Sequence, residues 1–282
     1  MSFLNRVGLL FARRWISGIT VSEAAADAIR INRSGEMVML NYLGEGTRSS
    51  HAASRSVKIY LRLLKTMKRS RIKGCISVKP TQLGLCLGYQ EFVRNYSAIV
   101  SAADKMGIFV WTDMEEHRYT DYTIKAYLDA LGMHSNVGIC LQARQRGTYG
   151  NLKRIVKKGG KIRLVKGAYK DGGGVNYTTE AEVSANYLRC LDYLTLHCKR
   201  FIIATHDGKI ISYALNKAKR YKRELTFAML KGIRPKMAAQ IAKNGKEIYI
   251  YLPFGEEWFQ YSMRRLKEFS NIVLVARSIF QG

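Results

Sequence analysis

Acidic residues are scarce in this chain: 21 Asp and Glu stand against 47 Lys and Arg in 282 residues, which leaves a formal charge of +26. Such an excess invites a nucleic-acid or anionic-membrane reading. The basic residues are nevertheless spread along the chain, without an arginine-rich tail, zinc-finger spacing or RNP-like motif. The densest run, KTMKRSRIK at 65 to 73, reads as the exposed end of a helix, so no nucleic-acid partner is expected. Cysteine is also sparse. Cys75, Cys86, Cys140, Cys190 and Cys198 are odd in number and contain no CxxC pair, which argues against a disulfide scaffold or a zinc site and for a reducing compartment.

Long apolar runs are missing as well. No stretch approaches the ~18 residues a membrane span needs. MSFLNRVGLLFARRW at the start, interrupted by Arg6 and followed by no small-residue cleavage site, reads as an amphipathic helix rather than a signal peptide. The expected location is cytoplasmic or peripheral at the inner face of the membrane. No linker rich in Pro, Gly or Ser divides the chain, and DGGG at 171 to 174 reads as a loop. The expectation is one domain over 1–282, with a helical arm at 1–35, a barrel at 36–282 and no room for a second catalytic domain. GxGxxG, GxxxxGK[ST] and GxSxG are all absent, and no His/Cys/carboxylate cluster has metal spacing. A Rossmann site, a P-loop, a serine nucleophile and a metal centre are therefore not expected.

What the chain does have is alternation. Eight β-rich runs, EMVMLNYL (36 to 43), CISVKP (75 to 80), GIFVWTDM (107 to 114), NVGICLQ (136 to 142), KIRLVKG (161 to 167), RFIIATH (200 to 206), ELTFAML (224 to 230) and EIYIYLP (247 to 253), are separated by helical segments. The runs are continuously apolar or β-branched, as in parallel strands buried on both faces. Eight β/α units in this length predict a distorted (β/α)8 TIM-type barrel, with a doubly wound sheet as the runner-up. In such a barrel chemistry collects where strands exit. Those positions are unusually polar here: Glu45, Lys79, Asp113 with Glu115, Gln142, Arg163 with Lys166 and Tyr169, Thr205 with His206, and Tyr251. Arg163, Lys166 and the glycine of KGAY suit an anionic or electron-rich ligand held near backbone amides.

The last helical segment, YSMRRLKE at 261 to 268, places Tyr261, Arg264, Arg265 and Glu268 on one stripe and Phe259, Met263 and Leu266 on the opposite one. The apolar stripe is expected to pack on a core. The polar stripe reads either as a solvated salt-bridge face or as a carboxylate receptor in which guanidinium forks grip a small ligand.

RLVKGAYKD (163 to 171), TDMEE (112 to 116), ATHD (204 to 207), IYLPFG (250 to 255) and YSMRRLKE together resemble the FAD-dependent proline dehydrogenase barrel family. So do NYLGEGTRSS (41 to 50), SVKPTQLGL (77 to 85), LQA (141 to 143) and EVSANYLR (182 to 189), all in the family's order. RLVKGAY and YxxRRxxE are the specific motifs. The resemblance implies a C-terminal helix across the barrel mouth and oxidation of L-proline to Δ1-pyrroline-5-carboxylate, with hydride passing to flavin N5, as the first step of proline catabolism. It implies that Lys79, Arg264 and Arg265 hold the substrate carboxylate, that Tyr251 and Tyr261 wall the ring, and that Leu230 packs on it. Asp113 would pair with Lys79 and border the flavin. The FAD site would also draw on Gln142, Arg163, Val165, Lys166, Gly167, Ala168, Tyr169, Ala204, Thr205, His206, Asp207 and Glu268. Glu45 and Arg265 would form a gate. A membrane quinone or other electron acceptor and a separate pyrroline-5-carboxylate dehydrogenase would be the partners.

Two departures stand out. Asp207 occupies a position that is usually Asn, and Ala228 one that is often Gln; both bear on cofactor affinity. Two further readings stay open, a folate-type flavin barrel oxidoreductase, which does not need the arginine pair with Lys79, and a non-catalytic basic binding protein on the same fold.

Overall fold

The structure, a computed structural model, describes residues 8, 9, 11–169 and 171–268, with side chains of the final helix described through Arg264. Eight parallel strands close into a barrel in sequence order. They are β1 (Met37–Tyr42), β2 (Gly74–Val78), β3 (Phe109–Thr112), β4 (Val137–Gln142), β5 (Ile162–Val165), β6 (Phe201–Ala204), β7 (Thr226–Leu230) and β8 (Glu247–Phe254). Closure comes from β1 against β8, where Met37 to Tyr42 run in register with Tyr249 to Phe254. The helices are α1 (Val21–Arg33), ahead of β1, then α2 (Ser50–Arg69), α3 (Tyr89–Met106), α4 (Thr120–Leu131), α5 (Thr148–Lys157), α6 (Glu180–His197), α7 (Gly208–Tyr221), α8 (Pro235–Lys243) and α9 (Trp258–Glu268). Among the described residues no helix is long and apolar enough to cross a membrane.

All eight predicted runs form strands, and several strands stop short of them. β5 ends at Val165, because Gly167 turns the chain away at φ +102°, a region that disfavours residues with a Cβ. Most of the rim residues therefore lie just past the sheet. One apolar layer, including Ile76, Val110, Ile139, Leu164 and Leu252, packs between strands and helices. A second fills the barrel with Met39, Cys75, Trp111, Ile202, Ala228 and Tyr249. Gly138 makes room for the indole inside, since a Cβ there would sit 2.5 Å from the Trp111 ring. The chain before β1 packs separately: Ala12, Trp15 and Ile16 meet Leu43, Trp258 and Tyr261.

Candidate active site

β5, β6 and β7 are buried along their middles, but their last residues, Val165, Ala204 and Leu230, are only half-buried, as is Tyr251 of β8. The barrel mouth therefore opens over β5 to β8. Across the mouth, the loops after β1, β2 and β5 and the middle of α9 bring three cationic or polar groups around one carboxylate. Glu45 Oε2 takes the Lys79 ammonium at 3.4 Å and the Tyr169 hydroxyl at 3.0 Å, while Oε1 pairs with Arg264 Nη1 at 2.8 Å. Burial pushes the Glu45 carboxyl up, but Lys79, Arg264 and Tyr169 outweigh it and hold the group below its ordinary pKa. The Lys79 ammonium is destabilised by burial, and Tyr169, Glu115, Asp113 and Glu45 more than compensate, raising its pKa. Both partners are therefore ionised at neutral pH.

One expected pairing, Lys79 with Asp113, differs here, and another, Glu45 with Arg265, falls outside the described residues. Glu45 closes on the first arginine of the pair, Arg264; the Arg265 and Glu268 side chains lie outside the described residues. Lys79 reaches Glu45, and it is Arg163 that takes Asp113. The reason is the direction each side chain takes. Arg163 points inward from β5 and its guanidinium, 4% exposed, must find a charge inside the barrel. Asp113, 6% exposed at the end of β3, supplies it. Ser77 donates to Asp113 Oδ1 at 2.6 Å and the Tyr251 hydroxyl to Oδ2 at 2.9 Å. Burial raises the Asp113 pKa, but Arg163, Lys79, Ser77 and Tyr251 bring it below the usual carboxylate value.

Glu115, two residues on, is the other buried carboxyl on this rim. Its oxygens accept from the Thr81 backbone N–H at 2.8 Å and hydroxyl at 2.7 Å. Desolvation pushes it up to about 7 against the opposing pull of Lys79 and Thr81. Thr81 in turn accepts from the backbone N–H of Gly46 at 2.8 Å through its hydroxyl and of Thr47 at 3.1 Å through its carbonyl. The loop carrying Glu45 is thus tied to the ends of β2 and β3.

The open side has spare hydrogen-bonding capacity. The Gln142 amide donates to the carbonyls of Met114 and Glu115 at 3.1 and 2.8 Å, which leaves Oε1 buried and unpartnered; Arg163 Nε is unpartnered too. A Cβ on Gly167 would lie 2.7 Å from that Gln142 oxygen. Ala168 and the half-buried Val165 and Lys166 continue this edge, followed by Ala204, Thr205 and His206, whose Nε2 accepts from the Leu230 N–H at 2.9 Å. Unfilled polar atoms beside an apolar edge fit a planar polar cofactor such as a flavin. The negative charge of Asp207 is already spent: it caps α7 through the Lys209 N–H at 2.9 Å and pairs with Lys166 at 2.8 Å. Burial raises its pKa, but the bond and charge of Lys166 lower it further, so it is ionised. Ala228 joins the apolar floor inside the barrel.

Of the apolar stripe expected to hold α9 down, Leu266 lies outside the described residues, and Phe259 and Met263 do not pack inward. Phe259 and Met263 are 58% and 41% exposed. The buried face is Trp258, Tyr261 and Ser262. At about 100° per residue Phe259 and Met263 each lie roughly 160° from Tyr261, so a helix that turns Tyr261 and Arg264 to the barrel must turn those two outward. Ser77, Thr81 and Arg144 are additional residues of the site. Arg144 donates to the Gly167 carbonyl at 3.2 Å and pairs with Glu180, holding the glycine turn. Period-two spacing was the available signal for Ser77, which shares a face with Lys79; no local signal marks Thr81 or Arg144.

The proline dehydrogenase family model matches residues 24–273. Proline dehydrogenase 1 of Bacillus subtilis subsp. natto is 28% identical over 262 residues, covering 92% of this chain and 87% of that protein. Proline dehydrogenase of Deinococcus radiodurans is 28% identical, covering 96% and 90%. Among solved structures, proline utilization A from Bdellovibrio bacteriovorus, inactivated by N-propargylglycine, superposes with a TM-score of 0.90 at 23% identity, over 98% of this chain and 34% of that one. At that identity the superposition speaks for the fold alone, and the chain spans about a third of that larger protein. With a match across most of its length, the chain belongs to the proline dehydrogenase family, oxidoreductases acting on the CH–NH group of their donor.

Proposed function

We propose that the protein binds FAD and oxidises L-proline to Δ1-pyrroline-5-carboxylate, with residues 36–282 as the catalytic barrel and 1–35 as its arm. The observation that carries this is the carboxylate of Glu45 gripped at once by Lys79, Tyr169 and Arg264. Groups that gather around the chain's own carboxylate are suited to a substrate carboxylate brought to the same place. FAD, when bound, accepts the hydride, and the protein supplies position and electrostatics.

Lys79 and Arg264 orient the substrate carboxylate, and Arg265 is assigned to the same task. Tyr251, fixed by its bond to Asp113, and Tyr261 wall the ring, with Leu230 at its edge. Gln142, Arg163, Val165 to Tyr169, Ala204 to Asp207 and Glu268 are the residues assigned to the cofactor, Arg163 acting through its grip on Asp113. Closing α9 over the mouth through Glu45 and Arg264 excludes water from the reacting carbon. A membrane quinone or other acceptor would reoxidise the enzyme, and a separate pyrroline-5-carboxylate dehydrogenase would take the product. The basic surface suits anionic headgroups at the inner face of a membrane. Anaerobic titration tests the reading: proline should bleach flavin absorbance near roughly 450 nm. A protein that stays colourless and inactive after incubation with FAD would sink it.

A further inference from the structure

Arg264 and Tyr261 can serve substrate only if α9 is held at a fixed height and rotation over the barrel, and its outward Phe259 and Met263 cannot do this. Besides the Glu45–Arg264 pair, the contacts that can do so come from the N-terminal segment. The Trp15 indole N–H donates to the Ser262 hydroxyl at 2.8 Å, a buried bond across 247 residues of sequence. Ser262 in turn donates to the Trp258 carbonyl at 2.7 Å, one turn back. An indole has one donor and no acceptor, so Ser262 is bound to a single orientation: its hydrogen stays in the helix and its lone pair faces Trp15. Trp15 also packs in one cluster with Trp258 and Tyr261.

The segment bearing Trp15 is itself anchored to the barrel. The Ile16 carbonyl accepts from Lys231 Nζ at 2.6 Å, and Lys231 directly follows Leu230. The Ser17 N–H donates to the Pro253 carbonyl at 2.7 Å and the Gly255 N–H to the Gly18 carbonyl at 3.1 Å. Asp27 of α1 takes Lys231 at 2.6 Å and the Ser17 hydroxyl at 2.7 Å. The carbonyl of Arg14 packs against Gly232, where a Cβ would lie 2.2 Å away.

We infer that Trp15 is a positioning residue for substrate: anchored on the exits of β7 and β8, it sets the rotation of α9 through Ser262, and so the placement of Tyr261 and Arg264. This rests on the activity proposed above. Trp15→Phe is the informative variant, because it keeps most of the ring packing while Ser262 retains its bond to Trp258. Ser262→Ala removes the same contact from the other side and leaves a buried indole N–H without an acceptor.

Backbone hydrogen exchange over 258–264 should speed up in both variants. In steady-state assays of the FAD-loaded enzyme, proline KM should rise about three- to tenfold, the scale of one net hydrogen bond, with kcat within about twofold and flavin content unchanged. The double variant should be no worse in KM than Ser262→Ala alone. Unchanged exchange and KM in Trp15→Phe would overturn the inference. So would faster exchange with unchanged KM, since Trp15 would then only stabilise. Failure of the unmodified protein to oxidise proline would count against the proposed activity, while exchange in α9 would still judge the Trp15 bond. If Trp15→Phe does not fold, Ser262→Ala carries the same two readouts.

Discussion

Replacing Asp113 with Ala removes the counter-charge of a guanidinium that is 4% exposed inside the barrel. Breaking a buried pair by deleting one partner costs about 3 to 5 kcal/mol, because the remaining charge is desolvated and unpaired. The Ser77 and Tyr251 hydroxyls lose an acceptor at the same time, which favours the upper half of that range. For a chain of this size the loss corresponds to a fall in Tm of roughly 6 to 20 °C. Equilibrium urea unfolding near neutral pH is the assay, with the midpoint shifting at constant m. Adding Arg163→Met to Asp113→Ala should recover much of the loss, since apolar replacement of a whole buried pair is often close to neutral. The pH dependence has a definite sign. Asp113 titrates below its unfolded value, so its contribution is present above about pH 4 and fades as pH falls further. A cost under about 1 kcal/mol, or a double variant no more stable than Asp113→Ala, would refute the claim that Arg163 depends on Asp113.

Lys79→Met keeps the stem and removes the charge, so proline binding should weaken by about 1.5 to 3 kcal/mol with flavin content unchanged; an unaltered KM would show that Lys79 does not meet substrate. Glu45→Ala and Arg264→Gln should each raise the Kd of a non-oxidisable cyclic carboxylate. A double-mutant cycle should show coupling of at least about 0.5 kcal/mol, and strict additivity would mean that the pair does not act as a latch. Gly167→Ala places a methyl against Gln142 at a positive φ, and should lower the fraction of protein purified with flavin; full retention would remove Gly167 from the cofactor edge. Glu115, pushed up to about 7, is favoured neutral in the fold. Its contribution is complete below its unfolded value near 4.5 and declines by roughly 3 kcal/mol as pH rises to about 7. The stability difference between the unmodified protein and Glu115→Gln should carry that slope, and a flat difference from pH 4.5 to 7.5 would show that Glu115 titrates normally.

Much of the rim is legible in the sequence because β/α alternation is a local property. Strands buried on both faces must be apolar throughout, so a polar residue at a strand's end marks the rim. Lys79, Asp113, Gln142 and Thr205 stand out by that signal. The KGAY turn is legible for a related reason, since a glycine closing a β-rich run suggests a backbone that must turn sharply, and Gly167 does so at φ +102°. Helix caps are equally local: Thr20 with Glu23 and Thr179 with Glu182 form capping boxes at the starts of α1 and α6.

The partners of those rim residues were not legible. Lys79, Asp113, Arg163 and Glu45 could be paired in several ways from sequence. The choice depends on how far each side chain reaches from its own strand: Arg163 is directed into the barrel and must neutralise itself there, while Lys79 extends to the loop after β1. The facing of α9 is not legible in the sequence for a similar reason. Periodicity specifies two opposite stripes but not which one meets the protein, and the usual assumption that the apolar stripe faces inward fails when a site needs the polar one. The sequence alone thus determined eight strands and the rim residues, because hydrophobic period and backbone turns act over a few neighbours. Only the tertiary structure decided which charges meet, and that Trp15 rather than Phe259 or Met263 anchors the last helix, because those contacts join residues up to 247 positions apart.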